Sequence, residues 1–266
     1  MTMKVAFIGS VPDIEEVHAL GTIEMALVHL FEKPKYAEYF RKQITHGREV
    51  ILDNSIMELG SAVAGTKCLE VAEEFAPSFV VAPDSFNDRK GTIAATTDFL
   101  RLKSKKARTR ALQTIGVAHG KNWKDWCDCF INHQLNGSID MIGIPYGTTF
   151  EVPGLAYRNK DSKTLVMMDN RLAMTAWIAQ NVRKPKPCHL LGASEPRELF
   201  WQKKHKFIYS HDSSSAYTTG YNAFVLGPST GLGGREKFKM DFDLKAGPDA
   251  MATIKENAST ILSWVK

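Results

Sequence analysis

The chain has 266 residues, 44% hydrophobic and 24% charged, which is enough apolar material for a full core and excludes a disordered or fibrous protein. Its 34 basic and 29 acidic residues leave a net charge of +5, which permits a polyanionic partner without demanding one. Four cysteines are too few for a disulfide framework, the N-terminus lacks the apolar run of a signal peptide, and no stretch has bilayer-spanning length, so a reduced, cytoplasmic protein with no membrane partner is expected.

Short apolar runs recur along the chain, each the length of a buried parallel strand. The first two are KVAFIG (4–9) and EVILD (49–53). GTKCLEVAEEFA (65–76) then puts Leu69, Ala72 and Phe75 on one helical face. SFVVAP (78–83) is followed by helical spacing over 92–106. LQTIGVA (112–118), IDMIGIP (139–145) and TLVMMD (164–169) are the next three predicted strands, with a helix over 170–182. CHLLG (188–192) precedes a helix over 195–205 that opens with Glu195 and Pro196, and FIYSHD (207–212) is the eighth strand. Eight strands alternating with helices over roughly 250 residues predict an α/β protein, a single-domain (β/α)8 TIM-like barrel over 1–266. A doubly wound open sheet is the alternative. The glycine-rich, basic stretch at 217–242 is predicted to be a mobile flap after the last strand.

The basic residues cluster. RLKSKKARTR (101–110) carries six positive charges and no negative one, and KKHK (203–206) and REKFK (235–239) are smaller instances. Any one cluster is an ordinary solvated face. Three together make Lys103, Lys105, Lys106, Arg108, Lys203, Lys204, Arg235 and Lys237 candidate phosphate contacts.

A barrel of this kind works at the carboxyl ends of its strands. Four predicted strand ends carry an aspartate: Asp53, Asp84, Asp169 and Asp212. Each alone reads more simply as a turn or helix cap, Asp169 most of all. As a set they suit two reaction classes. Metal-assisted hydrolysis would add several histidines, but the eight here are scattered. Substitution at an anomeric carbon needs a carboxylate nucleophile and a second group that manages the leaving group's proton.

CHLLGASEPREL (188–199) followed by FIYSHDSSSAYTTG (207–220) resembles the tRNA-guanine transglycosylase family, with its HYLMGVGxPEDL and MFDCVxPTR motifs. VILDNSIMELG, TIGVAHG and IDMIGIPYG are similar to further motifs of that family, in the family order, over roughly residues 45–220. The resemblance implies Asp212 as nucleophile and Asp53 as general acid/base. It implies base contacts from Asp84, His119, Gly143, Ile144 and Leu191. Met57 would sandwich the base with Leu191, although both also suit plain core, and Asn54 joins the base-binding set. No metal or cofactor is expected: the family's zinc cysteines would follow the nucleophile, and this chain has no cysteine after Cys188. Cys127, Cys129 and His133 lie on a predicted helix, where CxC spacing points the sulfurs to different faces. The PTR segment is replaced by SAY, and no C-terminal RNA-binding domain is expected.

A compact, zinc-less chain is most similar to the phage-type relatives that act on DNA. The expected activity is exchange of guanine in DNA for a 7-deazaguanine such as preQ0, in the host cytoplasm if the chain is phage-encoded. The target nucleotide would be flipped or single-stranded. The alternatives are the same exchange on tRNA, a guanine-releasing glycosylase, and a non-catalytic barrel that binds nucleic acid.

Overall fold

The apolar runs become strands because large aliphatic and β-branched residues fill both faces of a buried parallel sheet. The computed structural model describes residues 2–193 and 195–266. Its strands are β1 (Lys4–Phe7), β2 (Glu24–Leu27), β3 (Val50–Asp53), β4 (Phe79–Val81), β5 (Gln113–Val117), β6 (Met141–Pro145), β7 (Cys188–Leu191) and β8 (Ile208–Ser213). They form one sheet in the order β1-β8-β7-β6-β5-β4-β3-β2, and the pairs with a defined register run parallel. From β2 to β8 each strand neighbours the next in sequence, and β8 neighbours β1. That order, with helices between the strands, is the predicted (β/α)8 TIM-barrel fold.

The helices are α1 (Ile14–His18), α2 (Pro34–Thr45), α3 (Ile56–Leu59), α4 (Gly65–Phe75), α5 (Arg89–Lys105), α6 (Trp123–Leu135), α7 (Lys163–Asn181), α8 (Leu199–Gln202), α9 (Ser215–Tyr221) and α10 (Pro248–Val265). Among the described residues no helix is long and apolar enough to cross a membrane.

The chain divides into two compact units, one of residues 23–144 and one of residues 1–22 with 145–266. In the first, an aromatic cluster holds the Phe31 and Phe75 rings 4.6 Å apart and Tyr36 and Phe40 4.8 Å apart. In the second, α9 packs against α10. Asn257 of α10 donates to Thr219 Oγ1 at 2.9 Å and to the Phe224 carbonyl at 2.8 Å, and accepts from the Leu226 N–H at 2.7 Å.

Eight strands were expected and eight are present among the described residues, but the two sets differ in one member. Residues 164–169 are the first turns of α7, not a strand. A short apolar run does not distinguish a buried strand from a buried helix. Ser162 caps this helix, its side chain accepting from the Leu165 N–H, and helical spacing then continues unbroken through Asp169 and Asn170. The missing strand is β2, Glu-Met-Ala-Leu, which has no β-branched residue and begins on a carboxylate. Glu24 is buried there because Arg48 pairs with it at 2.8 Å and the Tyr39 hydroxyl donates to it at 3.3 Å.

The predicted flap is also corrected at its start. Residues 217–221 belong to the largely buried helix α9. Beyond it the chain is fastened: Glu195 accepts from the Leu232 N–H at 3.0 Å, Ser162 Oγ donates to the Gly234 carbonyl at 2.8 Å, and Trp264 Nε1 donates to the Pro228 carbonyl at 2.9 Å. The expected helix over 195–205 is a 3-10 turn at Pro196–Glu198 followed by the short α8.

Candidate active site

In the unit of residues 23–144, β3 ends in Asp53 and the chain turns at once. Asp53 Oδ2 accepts from the Ser55 N–H at 2.7 Å, and Asn54 Oδ1 accepts from the Ile56 N–H at 3.1 Å. These two overlapping side-chain turns hold Ser55 at φ 61°, a left-handed conformation that a non-glycine residue adopts at a cost. Asn54 is buried, and its amide donates to the Ala82 carbonyl at 2.9 Å and to Asp84 Oδ1 at 2.7 Å. The second oxygen of Asp84, just beyond β4, meets His119 Nε2 at 2.6 Å. His119 stands just beyond β5 with the Phe86 ring edge-on to it, and its Nδ1 is buried with no partner among the described residues. Asn54, Asp84 and His119 therefore form one hydrogen-bonded cluster in which both Asp84 oxygens already hold a protein donor.

The other residues predicted in this unit are placed variously. Gly143 and Ile144 lie buried in β6, and the Gly143 carbonyl accepts from the Ala118 N–H at 3.0 Å. Met57 is 48% exposed on the single turn of α3.

In the other unit the centre is Asp212 on β8. Residues 210 and 212 share one face of that strand, and the parallel register sets His189 of β7 beside Ser210. His189 consequently lies between them, with Nδ1 2.8 Å from Ser210 Oγ and Nε2 3.0 Å from Asp212 Oδ1. The Gly192 N–H donates to the same Oδ1 at 2.9 Å. Burial by itself would raise the Asp212 pKa, but the His189 hydrogen bond, the electrostatic influence of the His189 and His211 imidazoles and the Gly192 N–H hold the carboxyl below its ordinary value. Both hydrogen bonds from described residues fall on Oδ1 and none on Oδ2, and the residue retains 5% exposure.

Gly192 has no substitute in this role. Its φ is +60°, and an added Cβ would lie 2.6 Å from the Tyr146 ring. Its carbonyl and that of Leu191 are held by Arg171 of α7, at 2.7 and 2.9 Å. Arg171 in turn pairs with Glu198, Nε to Oε2 at 3.0 Å and Nη2 to Oε1, and both side chains are fully buried. This clamp fixes the end of β7 and so aims the Gly192 N–H. No sequence pattern had pointed to Arg171, Glu198 or His189. Leu191, assigned to the base, is half-buried.

Asp169 does not belong to a strand end. It sits inside α7, buried, paired with the Arg158 guanidinium and accepting the Arg158 N–H at 2.9 Å. The set of four strand-end carboxylates is thus reduced to Asp53, Asp84 and Asp212.

Among the basic residues, Lys103 is buried, its ammonium donating to Thr114 Oγ1 at 2.8 Å, and burial lowers its pKa. It is no phosphate contact. Lys106 is paired with Glu73 at 2.8 Å. Lys105, Arg108, Lys203, Lys204 and Arg235 are exposed, and Lys237 is half-buried. The Arg235 guanidinium lies 5.0 Å from the Phe224 ring centre, and Lys203 lies 4.8 Å from that of Phe200. Arg158 and Arg197 both lie over Trp201, at 4.8 and 4.9 Å.

Among the described residues no three His, Cys, Asp or Glu side chains come together as a metal site. His133 Nε2 is 2.9 Å from the Val117 carbonyl, and burial pushes the Cys127 and Cys129 thiols each up to about 11. No protein-family model matches the chain, and no curated protein matches it.

Proposed function

We propose that this chain is a base-exchange transglycosylase that replaces guanine in DNA with a 7-deazaguanine such as preQ0, through a covalent glycosyl intermediate on Asp212. One observation carries the reading: a buried carboxylate at the end of β8, held below its ordinary pKa, with Oδ2 bearing no hydrogen bond from a described residue. Such a group suits attack on an anomeric carbon, where it is ionised without being hydrated. The Ser210–His189–Asp212 line does not favour a serine nucleophile, because Ser210 is fully buried and the aspartate is the accessible end.

Asp212 Oδ2 bonds to C1′ as the bond from C1′ to N9 breaks. The electron pair leaves on guanine N9, which takes a proton managed by Asp53. The incoming deazaguanine gives its own N9 proton to Asp53 and attacks C1′, releasing the carboxylate. Two inversions give net retention. The Asp53 role and the reading of the guanine edge by Asp84 rest on the motif resemblance. Since Asp84 already accepts from Asn54 and His119, base recognition through it uses the second lone pair of each oxygen. The preference for DNA rests on the likeness to zinc-less relatives.

The test is incubation with guanine-containing duplex DNA and radiolabelled preQ0, with tRNA in parallel. Label in DNA, lost in Asp212→Ala, is expected. Label in tRNA alone would keep the chemistry and overturn the DNA assignment. Release of free guanine without label would make the chain a glycosylase. Binding without turnover would leave a non-catalytic barrel.

A further inference from the structure

Taking Asp212 as the nucleophile of the proposed reaction, we propose that His189 is the positioning residue that decides which of its oxygens attacks. His189 Nε2 and the Gly192 N–H both occupy Oδ1, which leaves Oδ2 as the reacting atom. The arrangement follows from register. His189 pairs with Ser210 across β7 and β8, and the imidazole reaches along the sheet face from Ser210 to Asp212. An ionised carboxylate only accepts, so Nε2 carries the proton of that bond. Nδ1 then accepts from the Ser210 hydroxyl, which selects this tautomer. Ser210 and His189 are both fully buried, so the pair is fixed from behind and only the aspartate meets a ligand.

Among the described residues, three charged or titratable side chains stand around Asp212. His189 comes from β7, His211 from β8 itself, and Arg171 of α7 acts at one remove through the Leu191 and Gly192 carbonyls. His211 is pushed down to about 3 by burial and makes its hydrogen bond to the Leu190 carbonyl. That leaves His189 as the one side chain that hydrogen-bonds Asp212 among the described residues.

The two half-reactions give this role a kinetic signature. When Oδ2 bonds to C1′ and the base departs, Oδ1 becomes the ester carbonyl and loses charge. When the incoming base attacks, the bond from Oδ2 to C1′ breaks and the negative charge returns to the carboxylate. A donor on Oδ1 therefore helps the second step most, by stabilising the leaving carboxylate. His189→Leu should slow breakdown of the glycosyl-enzyme more than its formation. It should also move the acid limb of formation upward.

The experiment traps the covalent adduct of the protein with a guanine-containing oligonucleotide on denaturing gels, across a pH series, and chases it with preQ0. In His189→Leu the chase should slow about ten- to a hundredfold, with the acid limb raised by about one pH unit. His189→Gln keeps a donor at the Nε2 position and should stay within about threefold of the parent. Ser210→Ala, a small change in a buried site, should shift both readouts in the same direction as His189→Leu and carries the test if that variant does not fold. An unchanged chase and acid limb in His189→Leu, or equal failure of the Leu and Gln variants, would overturn the role. If the parent forms no adduct, the functional reading fails by itself. The positioning role is then decided by a carbon-13 NMR titration of the Asp212 carboxyl. It should titrate higher in His189→Leu than in the parent and in His189→Gln, and no change would sink it.

Discussion

Asp53 and Asp212 both end a buried strand, yet they are held differently. Asp53 is bound by its own turn, through the N–H two residues on. Asp212 is bound by a neighbouring strand, through His189 and Gly192. Asp53→Asn keeps an oxygen for the Ser55 N–H and should unfold within about 1 kcal/mol of the parent while losing exchange. Normal exchange in that variant would make Asp53 a turn residue and nothing more. His211 yields a pH prediction. Burial depresses its folded pKa to about 3, below the ordinary value of 6.5. Above about pH 6.5 it contributes no pH dependence. As pH falls from there, the unfolded chain binds a proton that the folded chain refuses until about pH 3, so stability is lost. Asp212 acts in the same direction at lower pH: its folded pKa is depressed, so its contribution is present above the unfolded value and lost as pH falls through the folded one. Glu195 and Glu198, raised by burial, act oppositely. The measurement is therefore comparative: between about pH 6.5 and 4, denaturant unfolding of His211→Gln should depend less on pH than the parent's, by up to about 1.4 kcal/mol per pH unit. Equal slopes would contradict the buried neutral imidazole.

Between elements, the join of β7, α7 and the turn at 196–198 depends on one buried ion pair. Arg171 holds two carbonyls at the end of β7 and is itself held by Glu198. Removing one partner leaves an uncompensated buried charge, so Glu198→Gln or Arg171→Met should each cost about 3–5 kcal/mol in chemical denaturation. The double variant should cost less than the sum, because the second change removes the charge that the first stranded. Additive losses would mean the two act separately. The motif GASEPREL contains Glu198 at a position that reads as helix surface, and nothing local marks it as buried. The misread strand at 164–169 has the same origin. Its six residues suit either element, and the buried side of α7 carries Asp169, Asn170 and Arg171 while Leu165, Val166 and Met167 stay half-buried, so no polar outer face marks the helix.

Across the molecule, the net charge of +5 is spread unevenly, and burial divides the basic residues into two kinds. Lys103 points into its own unit, whereas Lys203 and Lys204 are exposed. If a polyanion binds, the slope of log affinity against log salt should flatten by about 0.7 to 0.9 for each phosphate that a variant no longer neutralises. Lys203→Ala and Lys204→Ala should each reduce that slope in filter-binding titrations, and Lys103→Met should leave it unchanged. The reverse pattern would move the binding surface elsewhere.

The fold class was legible in one dimension, because eight buried segments spaced by helices have few solutions, and exchanging one strand for another did not alter that count. So were three aspartates at strand ends, since a charge directly after an apolar run is visible without any partner. What those aspartates touch was settled by packing in three dimensions. The His189 contact depends on the register between β7 and β8, the Arg171–Glu198 clamp joins residues 27 apart, and the pairing of Asp169 with Arg158 removed a fourth carboxylate from the set. Register and ion pairing act between segments, and no local pattern of residues encodes which distant partner a buried polar group will find.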